Sequence, residues 1–377
     1  MQRPSRCHKP PSEDAVESAI PPHLQVKRAR PRRVPDDYQP PYPSFVARHR
    51  PAVERMVMAY FGLQYRGEVP PARASALNWI ADMFAVVGGP KHWDRAEYVD
   101  EVGYSNVVSV AYWDDQKTFE AWFPAVRDGW TGGRQDFAGL GTFIEVLSPS
   151  VNDYETLFSS LGRPEGVATL ADSLSGEVME HAYWGGMRDR IPNSQTGEMA
   201  PAGSPSLLRN GDSLRVRPHE NICLIRSGQD WSDTETAERK MYLDDVEPVL
   251  REGMEFLRDE GVPIGCFANR YMTVLDREGH PIEKTYGMSW WKSLAALERW
   301  AESHPTHVRI FGAAMKYLST LGPAAKLRLY HEVTVAKAAD QFFEYRGCHE
   351  RTGMLNAVTQ APPMQASNPA ATLLART

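Results

Sequence analysis

Three histidines lie where an imidazole could do chemistry. His304 and His307 stand on either side of a proline in "SHPTH", and Pro305 is suited to the first turn of a helix. His331 lies in "LRLYHEVTV", whose alternation predicts a strand with His331 and Val333 on one apolar face. A polar ring on such a face must find a partner or cost roughly 1–3 kcal/mol. We therefore expect each histidine either to be hydrogen-bonded in the core or to have a function.

These histidines lack the partners of a zinc site, but one of them would suffice to bind a haem iron. Two histidines three residues apart could bind zinc, but no H-E-x-x-H pattern or nearby cysteine completes a ligand set, so a zinc hydrolase is a weak alternative. A single neutral imidazole is enough to ligate haem iron from one side, and a further histidine, His331, could then serve the other side. Spacing alone leaves both His304 and His307 open as the ligand.

Four other polar residues interrupt apolar segments. Ser227 lies where the hydrophobic run of "ICLIRSGQDW" opens into a turn, and Arg190 follows an apolar strand in "MRDRIP". Glu155, in "YETLF", is predicted to lie on a helix, and His181 precedes "AYW". Each has an ordinary interpretation: a turn serine, a surface ion pair, an exposed helical glutamate and a hydrogen-bonded core histidine.

An internal repeat predicts how these residues are positioned. The segment 110–123 aligns without gaps to 288–301, and the segment 143–158 aligns to 330–345. Matching positions in the first pair are Trp113 and Trp291, Glu120 and Glu298, and Trp122 and Trp300. Each copy reads as a strand followed by an amphipathic helix, with Ser293 as the N-cap in the second copy. Two matches in the same order indicate a duplicated unit.

The repeat predicts an α+β fold of duplicated ferredoxin-like halves, with a barrel-type core that encloses a cavity. The predicted organisation is a flexible basic and proline-rich arm (1–36), a first half (37–160), a second half with the candidate haem-binding segments (161–358) and a loose tail (359–377). The alternative is two adjacent α+β domains that share no cavity.

Composition excludes several classes of partner. The net charge of −6 gives no electrostatic reason to expect nucleic acid or an anionic membrane, although the basic run "KRARPRR" makes a nucleic-acid role a minor alternative. No apolar run approaches the eighteen residues of a membrane span, and the N-terminus lacks a signal-peptide core. The four cysteines form no C-x-x-C pair, which argues against covalent haem attachment and fits a cytoplasmic protein.

Seven separated motifs carry a resemblance to a known family. The segments "RVPDDYQPPYPSFVAR", "QYRGE", "EHAYWGGMRDR", "ICLIRSGQDW", "ERWAESHPTH", "RLYHEVTV" and "HERTGML" resemble the haem-containing aldoxime dehydratases, from about Val16 to Val358. The resemblance implies a lyase with haem b, ferrous in the active state, that converts an aldoxime, R–CH=N–OH, into a nitrile and water. It also implies a homodimer and two ferredoxin-like halves, related to chlorite dismutases and dye-decolourising peroxidases.

The resemblance also assigns roles to five residues. It implies that His307 is the proximal iron ligand and that His331 is the distal acid–base residue. Arg190 and Ser227 match the distal arginine and serine of the family, and Glu155 matches a glutamate with a positioning role. The interval between the last two histidine motifs is a few residues longer than the family pattern, around "LSTLGPAA".

Two alternatives remain at this level. A haem peroxidase or chlorite-decomposing enzyme of related fold would share a proximal histidine but would use an arginine, or an aspartate–arginine pair, without His331. A haem sensor would bind haem and catalyse nothing. The sequence does not decide between aliphatic and arylacetaldoxime substrates.

Overall fold

The computed structural model describes residues 16–181 and 186–359, and within them the chain forms fourteen strands and eight α-helices. The strands are β1 (Ala47–Arg48), β2 (Val57–Tyr65), β3 (His92–Val99), β4 (Ser105–Trp113), β5 (Gly141–Leu147), β6 (Tyr154–Phe158), β7 (Ser173–Leu174), β8 (Ser206–Asn210), β9 (Ser213–Arg217), β10 (Ile222–Asp230), β11 (Cys266–Leu275), β12 (Pro281–Trp291), β13 (Arg328–Ala336) and β14 (Gln341–Arg346). The helices are α1 (Ala72–Ala85), α2 (Gln116–Trp130), α3 (Gly186–Arg190), α4 (Thr236–Met241), α5 (Glu247–Glu260), α6 (Leu294–Ser303), α7 (Pro305–Leu321) and α8 (Leu355–Thr359).

Twelve of these strands form one sheet, to which both halves of the chain contribute. Its strand order is β6-β13-β10-β12-β11-β3-β4-β2-β5-β14-β9-β8. Its pairs are antiparallel, and the pairing of β11 with β3 joins the two halves of the chain. Each half also contributes a strand to the other, because β6 pairs with β13 and β14 pairs with β5. The predicted boundary near residue 160 therefore separates β6 from the strand beside which it lies.

The sheet curls around an apolar core but stays open, with β6 and β8 as its two edges. Inner-face side chains of the two halves meet: the ring of Tyr60 on β2 lies 6.1 Å from that of Trp290 on β12. Tyr112 on β4 donates a hydrogen bond of 2.6 Å to Glu332 on β13. The result is a mixed α/β protein with a curled open sheet.

The inner face holds buried charges as well as apolar side chains. Arg270 makes two hydrogen bonds of 2.7 and 2.6 Å to Glu145, and Arg226 reaches Asp94 at 2.8 Å. Within each pair the positive and negative charges compensate each other, as burial of charged side chains requires. The interior that the sequence predicted to hold a haem cavity is therefore filled, among the described residues, by side chains.

Helices cover the outer face, and the local signals in the sequence place them. Asp115 and Ser293 are the N-caps of α2 and α6; Ser293 accepts a hydrogen bond from Ala296 N, as predicted. Pro305 occupies the first position of α7, also as predicted. Helices α1 and α2 pack on the first-half strands, α5 and α6 lie on the second-half strands, and α7 packs against α5 and α6. No helix of the described segments is long and apolar enough to cross a membrane.

The N-terminal segment contacts the body much earlier than the sequence suggested. Backbone hydrogen bonds join Glu17 to the segment around Val178, and Ile20 and Val34 are each only 2% exposed. The arm is thus docked from Glu17 onward. Residues 1–15, the "AYW" and following glycine at 182–185, and the tail after Thr359 lie outside the described residues.

Candidate active site

Three strands bring the distal residues together on the outer face of the sheet. Ser227 on β10 pairs directly with His331 on β13, and His331 pairs with Leu157 on β6. Because side chains alternate along a strand, Glu155, two residues before Leu157, points to the same side. Val333 shares this face and is fully buried, so the predicted apolar surroundings of His331 are confirmed.

Glu155 is where the sequence interpretation was wrong. It lies on strand β6 and not on a helix, and it is 4% exposed and not solvated. Tyr, Thr and Phe in "YETLF" are strand formers, so the composition of this segment is the signal that indicates a strand. The edge position of β6 places this carboxylate beside α3.

Arg190 ends α3 and forms a buried ion pair with Glu155. Its Nε and Nη2 donate to the two carboxylate oxygens at 2.6 and 3.2 Å, and its Nη1 donates to the carbonyl of Glu180 at 2.7 Å. Side chains of both partners are at most 2% exposed. This fork geometry fixes the guanidinium in one orientation.

His331 completes the cluster through a single nitrogen. Its Nε2 lies 2.9 Å from Arg190 Nη2 and 3.0 Å from Glu155 Oε1. Unprotonated Nε2 can accept from the guanidinium, whereas protonated Nε2 can donate to the carboxylate. The same atom therefore has a partner in both protonation states, as a residue that takes up and releases a proton requires.

Electrostatics keeps the carboxylate charged. Burial is the largest single influence and raises the pKa of Glu155, but the Arg190 guanidinium and His331 together outweigh it, so the pKa lies below its usual value. Glu155 is thus an anion at neutral pH and can stabilise positive charge on the imidazole.

His181 has the ordinary role that its sequence context allowed. Its Nδ1 lies 2.8 Å from Ser44 Oγ, and its ring meets that of Tyr42 edge-on at 4.6 Å. Burial, reinforced by the nearby Arg190, lowers the pKa of His181 to about 4. It is a neutral, hydrogen-bonded core histidine.

The structure separates the roles of the two histidines around Pro305. His304 is the N-cap of α7: its Nδ1 accepts from Thr306 N and lies 2.9 Å from Thr306 Oγ1. Its ring also stacks on Phe256, with centroids 4.4 Å apart. These contacts give His304 a capping role.

His307 has the hydrogen bonding and burial of a histidine that could hold a haem iron. Its Nδ1 donates a 2.8 Å hydrogen bond to the carbonyl of Ala301, and burial lowers the pKa of His307 to about 4. The neutral tautomer with its lone pair on Nε2 is the form that binds a metal, and a carbonyl partner on the other nitrogen is typical of metal-bound histidine. The sequence did not reveal the hydrogen bond between His307 and the Ala301 carbonyl.

The surroundings of His307 fit a haem better than a metal ion bound by protein ligands alone. The described residues contain no group of three or more histidine, cysteine or acidic side chains that could hold an ion. Haem iron needs only one protein ligand below the ring. On α7, Phe311, Ala314 and Leu318 follow His307 at helical spacing and are half-buried, which gives the ligand an apolar flank suited to a macrocycle.

Two tryptophans connect the His307 side to the distal cluster. The ring of Trp300 on α6 meets that of His307 at 4.5 Å, and it lies 5.7 Å from that of Trp291. Trp291 ends β12 on the face that also carries Ser227 and His331, because β12 and β10 pair in register. All five residues singled out from the sequence therefore belong to the same side of the sheet.

Comparison with known proteins identifies the family. The family of haem-containing dehydratases matches residues 59–354. The chain belongs to this family. These dehydratases include an aliphatic aldoxime dehydratase of Pseudomonas chlororaphis, 44% identical over 92% of this chain and 100% of the relative. A phenylacetaldoxime dehydratase of Bacillus sp. (strain OxB-1) is 32% identical over 86% of this chain and 94% of the relative.

A solved dehydratase has the same fold. The crystal structure of an aldoxime dehydratase in complex with butyraldoxime superposes with a TM-score of 0.87, at 43% identity over 92% of this chain and 98% of that chain. The matches confirm the predicted enzyme class, a haem-dependent aldoxime dehydratase and hence a lyase, and the predicted cofactor, haem b. The peroxidase and sensor alternatives find no support in them.

Proposed function

We propose that this dehydratase converts aldoximes into nitriles and water with His307 as the haem ligand and His331 as the acid–base residue. The observation that carries the assignment is the position of His331 Nε2, within 3.0 Å of both a buried guanidinium and a buried carboxylate. Such a site can hold a proton at one atom and give it up again. The aldoxime substrate follows the relatives and the butyraldoxime-bound structure.

The cofactor has a defined role in this scheme. When bound, ferrous haem supplies an iron that takes the oxime nitrogen as a ligand and weakens the N–O bond. His307 would hold that iron from the α7 side, with the orientation of its ring fixed by the Ala301 carbonyl.

His331 would move the proton in both halves of the reaction. Hydroxide is a poor leaving group, so protonated Nε2 gives its proton to the oxime oxygen, and the N–O bond breaks to release water. The same nitrogen then takes the proton from the oxime carbon as the carbon–nitrogen triple bond forms. The imidazole is thereby restored to its starting state, and a residue in this role contributes about 10²–10⁴-fold.

Arg190, Glu155 and Ser227 would prepare the site for these transfers. The guanidinium can stabilise negative charge that develops on the departing oxygen. Alone it would disfavour a protonated histidine beside it, and the Glu155 carboxylate compensates for that charge. Ser227, half-buried on the neighbouring strand, would direct the oxime hydroxyl towards His331.

The fold places apolar surface beside the proposed acid–base residue. Val333 is fully buried beside His331, and Ile225 and Leu157 extend the same apolar face. This surface can accommodate the substrate's alkyl or aryl group, and bound haem and substrate would exclude water and so strengthen the ionic contacts.

We also propose that the fold arose by duplication of a ferredoxin-like unit. The order β5-β2-β4-β3 in the first half is repeated by β13-β10-β12-β11 in the second, and each set of four alternates with helices in the same way. The exchanged strands β6 and β14 occupy equivalent positions beside β13 and β5.

Assembly and location follow the family expectation. We propose a homodimer in the cytoplasm. The described cysteines, Cys223, Cys266 and Cys348, are thiols, which persist in reducing compartments. Sedimentation of the holoenzyme tests the dimer directly.

One optical experiment tests the activity. Purified enzyme, reduced with dithionite and kept without air, would receive butyraldoxime and then phenylacetaldoxime while the Soret band is recorded and nitrile is assayed by gas chromatography. We expect a Soret shift with nitrile formation, and the relative rates rank the two substrate classes. Haem absorption without shift or nitrile would overturn the proposed activity.

A further inference from the structure

The basic run of the N-terminal arm, which the activity leaves unexplained, matches acidic groups on the body of the protein. Its arginines Arg28, Arg30, Arg32 and Arg33 each meet a carboxylate. Their respective partners are Asp189, Glu198, Glu180 and Glu298. The charge of the arm is therefore used within the chain, and it specifies where the arm docks.

The most buried of these contacts involves the residue next to Arg190. Asp189 is 1% exposed, and its Oδ2 accepts hydrogen bonds of 2.8 Å from the backbone nitrogens of both Arg33 and Val34. The Asp189 carbonyl also accepts from the Arg28 guanidinium at 3.3 Å. Helix α3 has only five residues, so its orientation depends on such external contacts.

A second arm contact holds the other side of the distal arginine. Arg190 Nη1 donates to the carbonyl of Glu180. The side chain of Glu180 in turn accepts from Ala19 N at 2.7 Å and from Ser18 Oγ at 3.1 Å. The arm thus binds both the residue that precedes Arg190 and the residue that accepts its hydrogen bond.

The arm also lines the space behind the ion pair. A cavity of about 50 Å³ has Glu155 and Arg190 on one side and Ala19, Pro21 and Leu24 of the arm on the other. A space of this size holds only a few water molecules. Arm residues therefore form part of the wall around the Glu155–Arg190 pair, whose side chains are at most 2% exposed.

We propose that arm residues 17–36 are a positioning element of the active site, which sets the orientation of Arg190 through Asp189 and Glu180. The inference rests on the proposed function, since it assigns to the arm the placement of a distal residue. Asp189 is a positioning residue: it acts through Arg190 and touches neither haem nor substrate in this account. Small misplacements of a positioned group reduce turnover by up to about a hundredfold.

Asp189→Asn is the first test, with Asp37→Asn as its matched control. The amide keeps one acceptor oxygen but loses the charge, whereas Asp37 is an exposed carboxylate immediately after the arm. We expect Asp189→Asn to lower kcat by about tenfold to a hundredfold with KM and the haem spectrum little changed. Amide hydrogen exchange in 186–190 should be faster. The control should match wild type in all four measurements.

A truncated enzyme that starts at residue 37 gives the second test, with an enzyme that lacks only residues 2–15 as its control. We expect the longer truncation to lower kcat and a synthetic peptide of residues 16–36 to restore it in a saturable manner.

Unchanged kcat in both Asp189→Asn and the truncation would overturn the proposal. Loss of haem and of folded structure in both, without rescue, would show a folding role and would overturn it too. Absence of nitrile from wild type would instead overturn the proposed function, while the hydrogen-exchange result would still report on the arm.

Discussion

Replacement of Glu155 by glutamine separates the ionic role of this carboxylate from its shape. The change leaves the guanidinium of Arg190, whose side chain is 2% exposed, without its counter-ion. Removal of one partner of a buried pair costs about 3–5 kcal/mol, and the amide oxygen retains one acceptor, so we expect a loss near the lower limit, about 3 kcal/mol at pH 7. For a chain of this length the loss corresponds to a fall in Tm of about 4 °C.

The pH dependence follows from the direction of the shift. The pKa of Glu155 lies below its usual value, so the ionised carboxylate stabilises the folded state above the unfolded pKa of about 4.3. That contribution is lost as the pH falls through the lower, folded-state pKa. The difference in stability between wild type and Glu155→Gln should therefore be full at pH 7 and shrink below about pH 4.

Glu332 supplies the matched control on the opposite face of the sheet. It is 3% exposed and accepts hydrogen bonds from Tyr112 Oη and Val167 N, but burial raises its pKa. Both donors are neutral groups, and the nearby Arg226 keeps its own partner, Asp94, so Glu332→Gln should cost only about 1 kcal/mol. Thermal unfolding of the holoenzymes, followed by circular dichroism at pH 7 and pH 4, measures both. Equal losses in the two variants, or wild-type stability in Glu155→Gln at pH 7, would refute the ion-pair reasoning.

Three further substitutions test the remaining roles. His307→Ala should lose haem, as the ratio of Soret to protein absorbance would show. Its control, His304→Ala, should keep haem and lose about 1 kcal/mol of stability because the cap of α7 is removed. Retention of haem by His307→Ala would contradict the ligand assignment. Ser227→Ala should keep haem and lower kcat/KM by about three- to tenfold, the value of one hydrogen bond, because the proton source remains. A loss as large as that from removal of His331 would show that Ser227 does more than orient the hydroxyl.

Local signals in the sequence predicted much of the fold. The aligned tryptophans Trp113 and Trp291 end equivalent strands, and Ser293 and Pro305 begin helices as expected. Alternation alone placed His331 on an apolar face. These predictions succeeded because each depends on neighbours within a few residues along the chain.

Long-range pairing accounts for what the sequence did not reveal. Glu155 lies on an edge strand that the first half contributes to the second, and no local pattern encodes that exchange. Arg226 and Glu145 fill the interior that was expected to hold the cofactor, because their partners come from the opposite half of the chain. The choice between His304 and His307 required the contacts of each ring nitrogen.

A single-turnover experiment on His331→Ala tests the central claim most directly. Anaerobic, reduced enzyme would be mixed rapidly with butyraldoxime while the Soret band and nitrile are followed in wild type and variant. The account predicts that the variant retains haem and the substrate-induced Soret shift, and that nitrile forms about 10²–10⁴-fold more slowly. Decay of the shifted band with nitrile formation at the wild-type rate would contradict the assignment of His331 as the residue that moves the proton.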